Sequence, residues 1–560
     1  MQIKKWGALL VSLVMILSFT ACAPGGGNSD KLTDIVIYTQ LANFSGEQGG
    51  WVAEILREKF NVRVTIISDM DGTFQTRMED GFLGDIVIFS TDGEQYLDAV
   101  EAGMLYDWEE DDLLKNHGSY IWEHLQFPLE KNRNLSGGTI HGFGGGAAGS
   151  TDDHEDFFYY PYIRWDLYQQ LGYPSINTLE DFITVLDDMV KLEPQNHLGQ
   201  RNFGVSFFPD WDMDMVMMVK ATGALYGYDE IGLGLYDTKT QTFEPCLQEG
   251  GMYLRSLRFY NQLFQRGLID PDSMTQTLDD MTEKYVNGRA MFNIFSWMAA
   301  TFNTEDNMAA GKAMMCVAAE DQKNLVYGLN VFGNNRLWTI GAQTAYPRLC
   351  MEIINWFSTP DGVLAYNYGP KGVTWDYDDD GNTYQTELGL SAQQDGENTM
   401  MEYLSYSGSY KDGEFQHNNT TWNAFSVNPE SALGEKFSYE TWRSTLLNKT
   451  VYPIEHSWRD YMGAVRADDY LISRGHVSVS IGSTFSLGRR GRELNTTWNQ
   501  VRECIKAGSW DAIYAESDEE FNAVVDKMID NAKAYGYDEC IEWTKEQAAL
   551  RKEAEDRTKG

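Results

Sequence analysis

Positive charge is scarce in this chain: 44 lysines and arginines stand against 83 aspartates and glutamates, a net charge of −39 over 560 residues. A field of that sign repels phosphate backbones and anionic lipid headgroups, which argues against nucleic acid as a partner and against direct docking of the protein surface on a membrane. Cysteine is scarce too. Besides Cys22 there are Cys246, Cys316, Cys350, Cys504 and Cys540, widely spaced, odd in number and without a Cys-x-x-Cys pair. Neither a disulfide framework nor a zinc site is indicated, and most of these read as buried thiols. After the first two dozen residues no stretch approaches the ~18–20 uninterrupted apolar residues of a membrane span. There is no G-x-S-x-G elbow, no H-E-x-x-H helix and no Walker A loop. The glycine-rich stretch from His141 to Gly149 lacks the spacing and the Lys-Ser/Thr of a phosphate cradle and reads as a mobile loop or an interdomain crossing. The acidic run Asp152 to Asp156 behind it reads as a solvated loop rather than a metal site.

What is present begins at Lys4 and Lys5. These precede an apolar core, Trp6 to Leu17, and then Ser18-Phe19-Thr20-Ala21 before Cys22. This is the pattern of a signal peptide over residues 1–21 with a lipobox, Cys22 being the lipidated residue. Ala21-Cys22-Ala23 also fits conventional cleavage, so plain secretion stays open beside lipidation. Residues 22–30, with Pro24-Gly25-Gly26-Gly27-Asn28-Ser29, suit a flexible tether. The expected location is the extracellular face of the cell membrane, reached through lipid alone.

Beyond the tether, Asp34 to Thr39, Val62 to Ser68 and Asp85 to Ser90 read as strands, with Trp51 to Phe60 and Gly93 to Ala102 as helices. Continuous apolar runs such as Ile86-Val87-Ile88-Phe89 suit parallel strands covered on both faces. Loops at the carboxyl ends of such strands are default ligand positions. Helices follow over Thr178 to Met189 and Gly251 to Arg266, then a strand from Met291 to Phe295. The closing segment Phe521 to Arg551 reads as two helices broken at Gly536.

Several ordered segments resemble the family 1 extracellular solute-binding proteins of bacterial ABC importers. They are Glu101 to Asp107, Ile163 to Tyr173 with Asn177 to Phe182, Gly267 to Asp272, Tyr285 to Met291 with Ser296-Trp297, and Ile353 to Gly362 with Tyr368 to Val373. The resemblance runs from Asp34 to Gly381, with a looser match at Tyr535 to Gln547. It implies an α/β, two-lobed, periplasmic-binding-protein-like (type II) fold with discontinuous lobes and a ligand cleft between them. On this reading lobe 1 holds 31–155 and about 310–390, and lobe 2 holds 156–309 and about 391–560. The resemblance further implies a non-enzymatic, monomeric receptor that captures a carbohydrate, usually an oligosaccharide, for an ABC permease. Trp165 stands where the family typically has a basic residue, and the stretch from about Ser391 to Ser517 matches little of the family pattern.

Sugar rings offer apolar faces and a rim of hydroxyls, so a binder needs aromatic platforms beside carboxylates and amides. With 16 tryptophans and 31 tyrosines there is ample choice. The candidates are Asn43, Asp92, Trp211, Asp212, Trp297 and Trp375, with Arg336 and Trp422 as weaker ones; for Trp211 and Trp375 simple core packing is the open alternative. Asp376, Asp378, Asp380 and Glu387 fit the spacing of a twelve-residue calcium loop. The flanks of that run read as strands, so an acidic hairpin competes with calcium, and no other cofactor is indicated. Paired carboxylates are too common here to exclude a glycosidase by counting. A secreted glycosidase and a surface adhesin are therefore the alternatives to a sugar receptor.

Overall fold

A computed structural model describes residues 31–42, 44–69, 73–415, 422–448 and 451–559. The expected leader, Cys22, the tether and Asn43 lie outside the described residues.

Strands Thr33–Thr39, Val62–Ser68 and Ile86–Phe89 run parallel, with Thr33–Thr39 between the other two and Ile37 facing both Ile66 and Ile86. Helices Gly50–Phe60 and Thr73–Asp80 make the crossovers, and all four residues of Ile86–Phe89 are buried, as a strand covered on both faces requires. The sheet grows to six strands in the order Gly46–Glu47, Val62–Ser68, Thr33–Thr39, Ile86–Phe89, Leu337–Ile340, Gly142–Gly144. Leu337–Ile340 enters antiparallel to both neighbours, long after the others in the chain. Gly142 permits this insertion: a Cβ there would stand 2.2 Å from the carbonyl oxygen of Trp338.

Two large hydrophobic cores form, each from discontinuous sequence. The first collects residues from Ile35 to Ala147 and from Trp338 to Trp442; the second collects Phe157 to Val326 and Ile454 to Ile541. The chain therefore passes between them three times. The first two passages lie side by side: His154 bridges Gly328, the Leu329 amide donates to the Asp153 carbonyl (2.8 Å), and the Glu155 amide donates to the Tyr327 carbonyl (2.8 Å).

These cores divide the chain at points other than the expected lobe limits. Met314–Cys316 pairs with Tyr159–Arg164, which also pairs with Phe292–Phe295, and Asn324–Tyr327 pairs with Val477–Ser480, so residues 314–327 belong to the second core. Residues 401–415 and 422–442, expected in the second lobe, pack on the first. The Trp51 indole donates to the Tyr410 carbonyl (2.9 Å) and its ring stacks on Tyr410 at 5.6 Å. A Cβ on Gly413 would stand 2.1 Å from the Trp51 ring. The reason is tertiary: this segment covers helix Gly50–Phe60, which nothing local in either sequence announces.

In the second core, helix Arg492–Ile513 packs against helices Met252–Gln265, Asp518–Ala534 and Tyr537–Lys559. The buried Asn261 amide donates to the carbonyls of Ala512, Ile513 and Ala515 (3.0, 3.2 and 2.8 Å), satisfying the open C-terminal turn of Arg492–Ile513. Cys246, Cys316, Cys350 and Cys540 are buried free thiols and Cys504 is half-buried. Among the described residues no helix is long and apolar enough to cross a membrane.

Candidate functional site

Where the first passage enters the second core, a run of aromatic rings begins. Phe158 contacts Tyr159 and Phe295 at 5.0 and 5.6 Å between centroids, and Phe295 stacks on Trp297 at 5.7 Å. Trp297 meets Trp211 at 5.7 Å, and Trp211 meets Phe208 at 5.1 Å. Phe295 and Phe208 are buried and serve as backing, whereas Phe158 and Trp211 are each 38% exposed and Trp297 is half-buried. The result is a rail of ring faces and edges open to solvent. Local chemistry explains its shape. Phe292–Phe295 ends where helix Ser296–Phe302 starts, so Trp297 projects from the first helical turn, and the Ser296 amide donates to the Phe158 carbonyl (3.2 Å), binding the two pieces together.

Trp211 rides on a loop held from behind. The Asp212 carboxylate accepts the Met217 amide (2.7 Å) and the Trp510 indole N–H (2.7 Å). Asp214 accepts the Trp498 indole N–H (2.9 Å). Burial pushes the Asp212 carboxyl above the usual range, with the Met217 and Trp510 donors opposing. Asp212 is thus committed to anchoring the loop onto helix Arg492–Ile513 and positions Trp211.

Tyr159 joins the rail to a recess of ≈ 350 Å³ that also borders Tyr228, Tyr327, Phe485, Lys220 and Arg551. Its carboxylates are Asp214, Asp229 and Glu230. The Tyr327 hydroxyl donates to Asp229 Oδ1 (3.0 Å). Burial raises the Tyr327 phenol above its ordinary value and pushes that of Tyr159 up to about 12, so both remain protonated at neutral pH. Since Tyr327 opens the second passage, rail and recess sit where the first two passages meet the second core.

On the first core, the carboxyl ends of the parallel strands carry amides and hydroxyls. Gln40 accepts the Ser90 amide (2.9 Å) and donates to Gln95 (2.6 Å). Asp92, one of the expected ligand residues, lies here in an ion pair with Lys131 (3.1 Å), and Lys131 reaches on to Asn335 in the second passage (2.9 Å).

Of the expected residues, the structure brings Trp211 and Trp297 together, keeps Asp92 on the opposite core, and turns Asp212 into a support. Trp375 is corrected: it is fully buried in the first core, its indole donating to the Gly369 carbonyl (2.8 Å), so it offers no face to a ligand. Trp422 is likewise buried, donating to the Ser358 carbonyl (2.7 Å). The calcium reading of Asp376, Asp378, Asp380 and Glu387 does not fit. Trp375–Tyr377 and Thr383–Gln385 form an antiparallel hairpin, and Asp378 spends its oxygens on the amides of Asp380 and Asn382 (3.0 and 2.8 Å) and the Asn382 side chain (3.3 Å). Glu387 stands in helix Glu387–Gln394. Among the described residues no three His, Cys, Asp or Glu side chains gather as a metal site. Sequence reasoning missed Phe158, Tyr159, Phe295 and Tyr327; the aromatic run Phe157-Phe158-Tyr159-Tyr160 was the available signal.

No family model and no curated protein matches this sequence. Among solved structures, the chain is similar to an extracellular solute-binding protein from Bifidobacterium longum subsp. infantis at 13% identity, covering 94% of this chain and 100% of that one with a TM-score of 0.47. It is similar to an HMO-binding, ABC-transporter-associated solute-binding protein from Bifidobacterium longum infantis at 12% identity, covering 93% and 99% with a TM-score of 0.46. A third is the N-glycan transport solute-binding protein of Streptococcus pneumoniae, at 13% identity, 92% and 98% coverage and a TM-score of 0.41. All three are solute-binding proteins.

Proposed function

We propose that this chain is a solute-binding receptor, and that its particular role is to capture an oligosaccharide between two lobes at the extracellular face of the membrane and present it to an ABC permease. The observation that carries the reading is the rail of Phe158, Trp297 and Trp211 at the passages between two cores, with amide and carboxylate side chains on both sides. Aromatic faces match the apolar faces of sugar rings, and the polar rim matches their hydroxyls. The two bodies rock about the seam at the paired first and second passages, and a ligand bound more tightly in the closed arrangement shifts the balance toward it. The receptor acts as a monomer without covalent chemistry.

A thermal-shift screen over neutral and acidic tri- to hexasaccharides tests this. A bound sugar at about 100 times its Kd adds about 2.7 kcal/mol, which raises Tm by about 5–10 °C in bodies of this size. Product formation in the same samples would make the chain a glycosidase, and no shift with any sugar would leave an adhesin.

The anchor belongs to the same proposal, with Cys22 as its attachment point. Cys22→Ser is expected to release the protein from the membrane fraction into the medium or to leave its leader uncleaved. Unchanged membrane retention of a processed C22S protein would remove the lipid.

A further inference from the structure

The recess beside Tyr159 contains cations, yet each of them already has its partners. The Arg551 guanidinium uses all three nitrogens: Nε donates to Glu555 Oε1 (2.9 Å), Nη2 to Ser480 Oγ (2.7 Å), and Nη1 pairs with Asp229 Oδ2 (2.8 Å). It also lies over the Tyr236 ring at 4.3 Å. Arg551 and Glu555 are both buried, so this network is part of the wall. Lys220, also buried, gives its ammonium to Glu230 at 2.6 Å. The carboxylates are placed differently: Glu230 is 38% exposed while its partner Lys220 is 6%. The acid is therefore the outward member of that pair. Asp214 and Asp229 complete an acidic lining whose guanidinium, that of Arg551, is fully engaged, while Arg502, outside the lining, stands 3.8 Å from Asp214. Acceptor oxygens suit sugar hydroxyls, which donate, and oppose a second carboxylate. The overall charge of −39 acts in the same direction at longer range.

We infer that this recess receives one end of the bound oligosaccharide and selects an uncharged terminal sugar over one bearing a carboxylate, with Glu230 as a specificity-determining residue. The inference rests on the proposed sugar-capture role. It deepens that role by naming the class of ligand: neutral oligosaccharides, with uronate-terminated or sialylated chains excluded. Lys220 positions Glu230, and Arg551 positions Asp229; neither cation is offered to the ligand.

The test takes a neutral oligosaccharide that stabilises the wild-type protein and compares it, by calorimetric titration at about 0.15 M ionic strength, with two oxidised forms: the uronate at the non-reducing end and the aldonate at the reducing end. At least one oxidised form is expected to bind about tenfold more weakly or worse, the size of a like-charge contact in a partly wet site. In Glu230→Gln, whose unliganded Tm reports that it still folds, the penalised form should regain about tenfold relative to its neutral parent. In Lys220→Met the carboxyl loses the ammonium that opposes the upward push of burial, so Glu230 moves toward its neutral form and the gap should narrow as well. The readout is the ratio of charged to neutral ligand in one protein, which a uniform loss of folded protein does not move. Equal binding of all three ligand forms, a first screen in which only acidic sugars bind, or an unaltered gap in both variants would each overturn the inference while leaving sugar capture intact. A screen in which no sugar binds would remove the functional reading itself, and this one with it.

Discussion

Truncating Trp211 and Trp297 together to alanine is expected to lower affinity for the proposed oligosaccharide ligand by about 100-fold. Each ring presents a face or edge to solvent, backed by a buried aromatic: Trp297 by Phe295 at 5.7 Å and Trp211 by Phe208 at 5.1 Å. The backing fixes the indoles before the ligand arrives, so little ordering entropy is lost on binding. A well-packed aromatic anchor of this kind contributes about 2 kcal/mol, or about 30-fold, on its own. The two effects fall short of additive because the indoles touch each other at 5.7 Å, and removing one loosens its neighbour. Most of the loss should appear in the dissociation rate. Trp211→Phe should retain most of the affinity, since a smaller ring still stacks. Asp212→Asn should weaken binding without touching the ligand, because the Trp510 and Met217 donors lose a charged acceptor and the Trp211 loop its anchor. Wild-type affinity in the double variant, measured by calorimetry beside an unchanged far-ultraviolet spectrum, would move the binding surface elsewhere.

The elements that were legible in the sequence are those whose pattern is local. Val62–Ser68 is a strand over the expected residues. Ile86–Phe89 lies within the expected Asp85 to Ser90, and Met252–Gln265 within Gly251 to Arg266, with Gly267 in the left-handed region just past its end. The break at Gly536 separates Asp518–Ala534 from Tyr537–Lys559 as expected. Contacts made across long sequence intervals were not legible. The Asp212 carboxylate looks free beside Trp211 until Trp510 arrives from another helix. Trp375 looks like a platform until its hairpin turns it into the first core, where the Gly369 carbonyl takes its N–H. The acidic loop from Asp376 has the calcium spacing, but register decides the matter. Cross-strand pairing of Asp376 with Tyr384 folds the run back on itself, and Asp378 closes the turn with its own side chain. Residues 401–415 show the same limit at larger scale, because helix Gly50–Phe60 accepts them through a close approach that both Gly50 and Gly413 permit.

Arg164→Met is expected to destabilise the second core by about 3 kcal/mol, the scale of removing one partner from a buried ion pair. Arg164 ends the strand that begins at Tyr159, and its side chain is 1% exposed. Its Nε and Nη2 donate to the two oxygens of Asp166 (2.9 and 2.7 Å), and Nη2 also reaches Glu193 (2.6 Å), while the guanidinium lies 4.9 Å from the Phe302 ring centroid. Methionine of similar length fills the space but leaves two sheltered carboxylates facing each other, with only Lys312 still pairing Glu193 at 3.0 Å. The pH dependence gives the cause away. Burial works to raise the Glu193 carboxyl, but the charges of Arg164 and Lys312 outweigh it and hold the group below an ordinary glutamate's 4.5. A depressed folded-state value means that the pair contributes fully above the unfolded value and that its contribution is lost as pH falls through the folded one. The gap between wild type and R164M should therefore be widest near neutral pH, about 6–12 °C in Tm for a body of this size, and should narrow as the Glu193 carboxyl takes up its proton below 4.5. A gap independent of pH would assign the loss to packing around Phe302 instead. Affinity for the oligosaccharide at 25 °C should stay near wild type, since the network grips the end of Tyr159–Arg164 remote from the rail, and a matched fall in affinity would show that strand to be coupled to the binding surface.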